Sequence, residues 1–240
     1  MRQQRSIGLA LAPLLADGVK VNLIDTPGYA DFVGDVRAGL RAADAALFVI
    51  GATDGVDGAT QLLWEECAAV GMPRAVVVTK VDKDRADFDE VVAICQRVFG
   101  DGVLPLYLPM HADDGRTAGV IGLLSQQIVD YSGPVRVTRP PDAEHLPLVE
   151  NARASLIEGI IAESEDETLM DRYLEGADID LDTLITDLEK AVARGSFYPV
   201  LAAASSPAGF GMAELLEVIV RGFPSPLEHP LPAVTSPEGS

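Results

Sequence analysis

The sequence predicts an α/β protein, a mostly parallel sheet covered by helices on both faces. Three observations carry this. Short apolar runs alternate with stretches of helical apolar spacing from residue 19 to residue 108. Two of those runs, 19–24 and 75–79, open directly into Asp25-Thr26-Pro27-Gly28 and Thr79-Lys80-Val81-Asp82. The same rhythm returns at 198–204 after a stretch of different character. Sheets of this kind bind ligands at the carboxyl ends of their strands, and both turns fall there.

In order, 7–15 and 19–24 read as strands joined by Ala16-Asp17-Gly18, a hairpin signal. Asp31 is placed to cap a helix whose apolar positions are Phe32, Val36 and Leu40. Residues 45–50 form a short buried strand ending at Gly51. Residues 59–70 read as a helix with a Leu62, Leu63, Cys67, Val70 face, stopped by Gly71 and Pro73. Trp64 falls off that stripe and is expected half-buried. Residues 75–79 are a buried strand. Val91, Ile94, Cys95 and Val98 mark the next helix, ended by Gly100, and 104–108 reads as a further strand.

The pattern then changes. Residues 111–116 are a polar loop and 131–141 are rich in Pro, Gly and Arg. Helices follow Pro147, with Leu148, Ala152, Leu156 and Ile160 on one face and Leu181, Leu184, Ile185, Leu188 and Val192 on another. After the strand at 198–204, a helix starts at Gly211 with Leu215, Leu216 and Ile219. The expected division is a core of 1–105 and 197–224, an α-rich insertion of 106–196, and a Pro-rich linker of 225–240.

Composition bounds the function. The chain has 240 residues, 48% hydrophobic and 23% charged, which suits a globular protein rather than a disordered one. Its apolar runs are too short to span a bilayer, and 6–16 has no convincing signal-cleavage site, so neither membrane nor export is expected. Cys67 and Cys95, both on apolar helix faces, are expected as buried free thiols in a reducing cytoplasm. The formal charge of −19 argues against nonspecific attraction to DNA or RNA. Residues 142–190 hold 15 acidic and 3 basic side chains, a net −12 that faces water or a basic protein partner. His111, His145 and His229 are far apart, and surface roles are expected for them rather than metal binding.

The two turns carry the chemistry. An Asp closing a strand can hold Mg²⁺, directly or through a water, and a following Gly lets a backbone N–H approach a phosphate. A plain turn would use the same residues. Thr79-Lys80-Val81-Asp82 tips the balance: its carboxylate can accept two hydrogen bonds from guanine N1–H and N2–H₂, which adenine cannot offer. The stem of Lys80 can lie over the base. Ala204-Ser205-Ser206 follows the last strand, where small residues let backbone N–H groups reach the base carbonyl. No G-x-x-x-x-G-K-[S/T] phosphate loop occurs in the chain.

With these residues in hand, the chain resembles the first domain of the translational GTPases, most closely the elongation factor G group. Asp25–Gly28 matches the family's DTPG motif, 79–82 its [N/T]KxD motif, and Ser205-Ser206 its S-A loop. The insertion is similar to the extra subdomain of elongation factor G. Phe223-Pro224-Ser225-Pro226-Leu227 resembles the end of that domain. The resemblance implies a P-loop-NTPase-like G-domain fold, GTP/GDP and Mg²⁺ as cofactors with Asp25 reaching the metal through water, the ribosome as partner, and a cytoplasmic GTPase.

Some positions depart from the family. Arg5-Ser6-Ile7-Gly8 resembles the end of the first switch, R-G-I-T, with Gly8 at the place of a Thr that reports on Mg²⁺ and the terminal phosphate. Tyr29 stands where the family has the His that orients the attacking water, and is the candidate catalytic position. Ser206 stands where Ala is usual. The family's phosphate loop, with its strand, is expected upstream of Met1, and that strand would lie between the ones ending at Asp25 and Ile50. Its absence would leave two unpaired strand edges, so the chain is expected to be a piece of a longer protein or the product of a late start. Binding and hydrolysis are therefore expected to be weak or absent in this chain, with a nucleotide-free or slow-hydrolysing binding module as the alternative. Arg37 and Arg41, one turn apart after Gly28, read as ribosome contacts or as solvated surface.

Overall fold

The computed structural model describes residues 8–28, 30–112, 115–207 and 209–228. Strands β1 (Ala10–Ala16) and β2 (Val19–Asp25) form the expected antiparallel hairpin. Asp17 and Gly18 both take positive φ, 47° and 80°. Two left-handed residues match the twist of a two-residue hairpin. Among the described residues no further strand pairs with this hairpin. Leu11, Leu15, Val19 and Leu23 are exposed on it.

The chain then enters α1 (Val33–Ala42) through a 3-10 turn over Ala30–Phe32. The expected Asp31 cap does not form. Asp31 lies inside the 3-10 turn, and Phe32 takes the cap position without a side-chain bond. Gly39 is buried where α1 meets the hairpin end; a Cβ there would stand 3.1 Å from Thr26 Cγ2.

Strands β3 (Ala46–Gly51), β4 (Arg74–Thr79), β5 (Val103–Pro105) and β10 (Tyr198–Ala202) build one parallel sheet in the order β3-β4-β10-β5. Helices α2 (Gly58–Ala69) and α3 (Phe88–Phe99) start at Asp57 and Asp87, each accepting a hydrogen bond from a backbone N–H three residues on. Trp64 corrects the sequence reading: it is 5% exposed and stacks on Phe99 at 4.2 Å, with Phe48 edge-on. Leu62 and Val70, assigned to the inner face, are exposed. The sheet lies on the Trp64 and Cys67 side of α2, where both join the apolar cluster with Phe48, Val76 and Phe99, and Arg74 on β4 is covered by aromatic rings. Its guanidinium lies 4.5 Å from the Trp64 ring and 4.4 Å from the Tyr198 ring. It donates to the Trp64 carbonyl at 3.1 Å and to the Tyr198 hydroxyl at 2.6 Å.

The run at 104–108 is not one strand. It breaks at Leu106, so that β5 stays in the parallel sheet and β6 (Tyr107–His111) starts another. That second sheet is antiparallel, β6-β7-β8-β9, with β7 (Thr117–Gly122), β8 (Ile128–Asp130) and β9 (Val137–Arg139). The sequence reading of 106–196 contains only helices beyond 108. All four strands are short or interrupted by Gly or Pro, so period-two patterning is too brief to register. The helices do follow: α4 (Leu146–Ala162), α5 (Leu169–Leu174) and α6 (Leu181–Arg194), the last ended by left-handed Gly195. Leu123, Leu156, Ile160, Leu184 and Phe197 form a second buried cluster beside the one under the parallel sheet. After β10 come α7 (Met212–Glu217) and a π-helical turn over Val218–Gly222.

Cys67 and Cys95 are buried free thiols, each pushed up to about 11 by burial. No helix among the described residues is long and apolar enough to cross a membrane. Tyr29, His229, most of the Arg5–Gly8 match and most of the tail from 225 lie outside the described residues.

Candidate functional site

The site grows from the carboxyl ends of β4 and β10. At the end of β4 the Thr79 hydroxyl donates to the Ile50 carbonyl at 3.3 Å, and the Thr79 carbonyl accepts from Ala52 N–H at 2.8 Å. Lys80 then turns the chain with φ 63°, a left-handed conformation that costs a non-glycine residue about 1–2 kcal/mol. Its ammonium sits 2.6 Å from Asp54 Oδ2, in the loop after β3. Asp54 is the site neighbour that motif reading missed; its position just past the end of β3 was the available signal.

Asp82 is the centre of the corner. Its side chain is only 7% exposed. Oδ2 accepts from Lys83 Nζ at 3.0 Å and from Ser205 Oγ at 3.3 Å. Oδ1 is buried and has no hydrogen-bond partner among the described residues. Burial works to raise this carboxyl, but the hydrogen bonds from Lys83, its own backbone and Ser205 outweigh it and hold it below the usual carboxylate range. An ionised, buried oxygen left without a donor is costly by itself, which marks this carboxylate out from an ordinary surface loop.

Ser205 reaches the corner because β10 lies beside β4: Ala203 N–H donates to the Val78 carbonyl at 2.8 Å. Gly211 closes the loop back onto the strand. Its φ is 76°, and a Cβ would stand 1.9 Å from the Ala202 carbonyl oxygen, so no other residue fits without moving backbone. Ser206 is exposed in the same loop. The structure thus brings Lys80, Asp82 and Ser205 together.

Asp25, Thr26, Pro27 and Gly28 stand apart from that sheet, at the end of β2. Asp25 and Gly28 are exposed and Pro27 is buried. Among the described residues no group of three His, Cys, Asp or Glu side chains could hold a metal. Mg²⁺ bound with phosphate needs only one or two carboxylates, which an exposed Asp25 satisfies. Arg37 pairs with Glu66, Nε to Oε2 at 3.0 Å, tying α1 to α2. Arg41 is exposed.

The "Elongation factor Tu GTP binding domain" family matches residues 2–225. Two curated relatives carry the name "Elongation factor G-like protein", from Mycobacterium tuberculosis strains CDC 1551 / Oshkosh and ATCC 25618 / H37Rv. Each is 61% identical to this chain over 239 residues, covering 100% of it and 32% of the relative. The chain thus spans about a third of the length of those relatives. A crystal structure of a protein from Thermus thermophilus superimposes with a TM-score of 0.83 at 34% identity, covering 95% of this chain and 34% of that one. A match over almost every residue, on a mixed α/β fold whose strand ends carry the expected turns, settles the family: this chain belongs to the elongation factor Tu GTP-binding domain family, alongside elongation factor G-like proteins.

Proposed function

We propose that this chain is the guanine-nucleotide domain of a translation GTPase that acts at the ribosome in the cytoplasm. The observation that carries the base assignment is the Asp82 carboxylate itself, held ionised just past the end of β4 beside Ser205, with Oδ1 left without a partner among the described residues. Guanine presents N1–H and N2–H₂ side by side to such a carboxylate, and adenine presents an acceptor at N1 instead. Lys80 lays its stem over the base, Thr79 holds the strand end, and Ser205 with Ser206 borders the base carbonyl. Asp25 would be the residue to hold Mg²⁺, through a water, and the backbone at Thr26, Pro27 and Gly28 would border the terminal phosphate. Bound Mg²⁺ would supply neutralisation of phosphate charge.

Hydrolysis in this reading is slow. Gly8 brings no hydroxyl to the switch position, and Tyr29 is a poorer group than His for orienting water near neutral pH. The same two residues favour a second reading, a ribosome- or protein-binding module that hydrolyses little or holds no nucleotide. The acidic surface of 142–190 then faces a basic protein.

The test is a titration with fluorescent GDP and Mg²⁺, with ADP as competitor, on the intact protein and on residues 1–240 alone. GDP should displace the probe and ADP should not. Asp82→Ala should weaken GDP by about 100-fold, the scale of leaving a specific polar pair unmade. Equal competition by ADP would overturn the base assignment. Residues 1–240 alone are expected to bind weakly, and an affinity near micromolar would remove that expectation. Tyr29→His should raise ribosome-stimulated hydrolysis; an unchanged rate means Tyr29 is not the brake.

A further inference from the structure

The two loops that form the Asp82 corner are bolted to the antiparallel sheet of 107–139, not only to their own strands. Thr117, the first residue of β7, is 7% exposed, and its hydroxyl donates to the Val81 carbonyl at 3.3 Å. Val81 lies between Lys80 and Asp82 and is itself buried. On the other side, Tyr131 follows β8. Its hydroxyl donates to Glu214 Oε2 at 2.6 Å, and its ring packs on fully buried Phe210 with centroids 5.2 Å apart. Arg136, just before β9, donates to Glu214 Oε1 from Nε at 3.1 Å and from Nη2 at 2.7 Å.

Glu214 is a charged group 2% exposed, at the start of α7. A guanidinium donating twice and a phenol satisfy both its oxygens, so its place is closely defined. Phe210 reaches back into the loop: its carbonyl accepts from Ala204 N–H at 3.4 Å, and its N–H donates to the Pro207 carbonyl at 3.1 Å. Ser205 lies within that span and touches Asp82. β7 and β8 are paired through Val120 and Val129, and Tyr131 N–H donates to the Ala118 carbonyl at 2.8 Å. One sheet therefore holds one loop through Thr117 and the other through Tyr131 and Arg136.

We infer that Thr117 and the Tyr131–Arg136–Glu214 cluster are positioning residues for guanine recognition, making the antiparallel sheet a jig that sets Asp82 and Ser205 relative to each other. This rests on the base assignment made above. Asp82 can meet two adjacent N–H groups only if its carboxylate plane is held in register with them. The single bond to Val81 sets the loop on one side, and the Glu214 cluster sets the loop on the other. Among the described residues β4 and β10 fix only the start of each loop, and beyond the direct Ser205–Asp82 bond the cross-brace comes from the antiparallel sheet.

The test uses the intact protein with three variants. Thr117→Val removes the donor at constant shape, Thr117→Ser keeps it, and Tyr131→Phe removes only the phenol donor. Amide hydrogen exchange is read at 80–83 and 203–211 without nucleotide. Dissociation of GDP and of IDP, which lacks the N2 amino group, is read by stopped flow. The expected result is faster exchange in both variants that lose a donor, in the loop each one braces, and GDP release quickened about three- to tenfold. IDP release should change less, because it makes one bond fewer to Asp82. Thr117→Ser should behave as wild type. Loops that keep their protection in Thr117→Val and Tyr131→Phe overturn the brace. Loosened loops with an unchanged GDP-to-IDP ratio overturn its role in base recognition. A wild-type protein that does not distinguish GDP from ADP overturns the base assignment itself, and the positioning role falls with it whatever the exchange shows.

Discussion

β1 and β10 are similarly apolar strands with opposite fates. In β1, Leu11 is 66% exposed and Leu15 76%. In β10, Val200, Leu201 and Ala202 are all within 2% of complete burial. The difference lies in neighbours rather than composition. β10 has β4 on one side and β5 on the other, with a buried cluster at its face. β1 has β2 alone, and the outer edges of both β2 and β3 are unpaired among the described residues. A two-stranded hairpin is marginal without a packed face, whereas a parallel sheet is stable because both faces are covered. The hairpin unit is joined to the rest through α1, by Val36, Gly39 and the Arg37–Glu66 pair.

Urea unfolding of two alanine variants puts the largest expected effect on this contrast. Leu201→Ala should cost about 2–5 kcal/mol by leaving a cavity in a closed core. Leu15→Ala should stay within about 0.5 kcal/mol. A Leu15→Ala cost as large as that of Leu201→Ala would show the hairpin face covered in solution, and the contrast would break.

Thiol labelling sharpens the same comparison. At pH 8 a cysteine placed at Leu15 should react at once. Cys67 and Cys95, pushed up to about 11 by burial, should stay unmodified until the sheet unfolds. Rapid native labelling of either would mean that α2 or α3 opens as readily as the hairpin.

Acid sensitivity should belong to the closed part. Asp82 is held low by its hydrogen bonds despite burial, and Asp130 by the Ser132 hydroxyl and N–H. Each binds its proton more weakly folded than unfolded. Each therefore adds stability above its unfolded value of about 4, and that stability is lost as pH falls through the lower folded value. The urea midpoint should drop between about pH 5 and pH 3. Asp82→Asn should flatten part of that drop, and an identical profile in the variant would exclude Asp82 as a source.

The smallest effect is expected at Arg37–Glu66. It is a solvent-exposed pair, and hydrogen bonding with Arg37 holds Glu66 below its usual range. Glu66→Gln should loosen α1 slightly in low salt and not at all in molar salt. A salt-independent loss would mean that the pair does more than tether the hairpin unit.

Much of the site was legible because its chemistry is local. Asp25–Gly28 and Thr79–Asp82 each close an apolar run, and Ser205 follows the last one, so their place at strand ends could be read from order alone. The corner formed by Asp82 and Ser205 agrees with that order geometrically. What could not be read was whatever spans long stretches of chain. Arg74 is a charged residue at the head of a strand, and only Trp64 and Tyr198 folding over it make it a core residue. Trp64 reads from sequence as lying off the inner stripe because periodicity gives a stripe but not the side on which the sheet lies.

By itself the amino-acid order determined the strand–helix alternation, the turn at Asp17-Gly18 and the strand-end placing of the two motifs, since these depend on backbone preference and on neighbours a few positions away. Only the tertiary structure decided the break of 104–108 between two sheets, the exposure of the hairpin's leucines, and the grip of Thr117 on Val81 and of Arg136 on Glu214. Those outcomes depend on which surfaces meet, and burial is a property of the pair rather than of either residue.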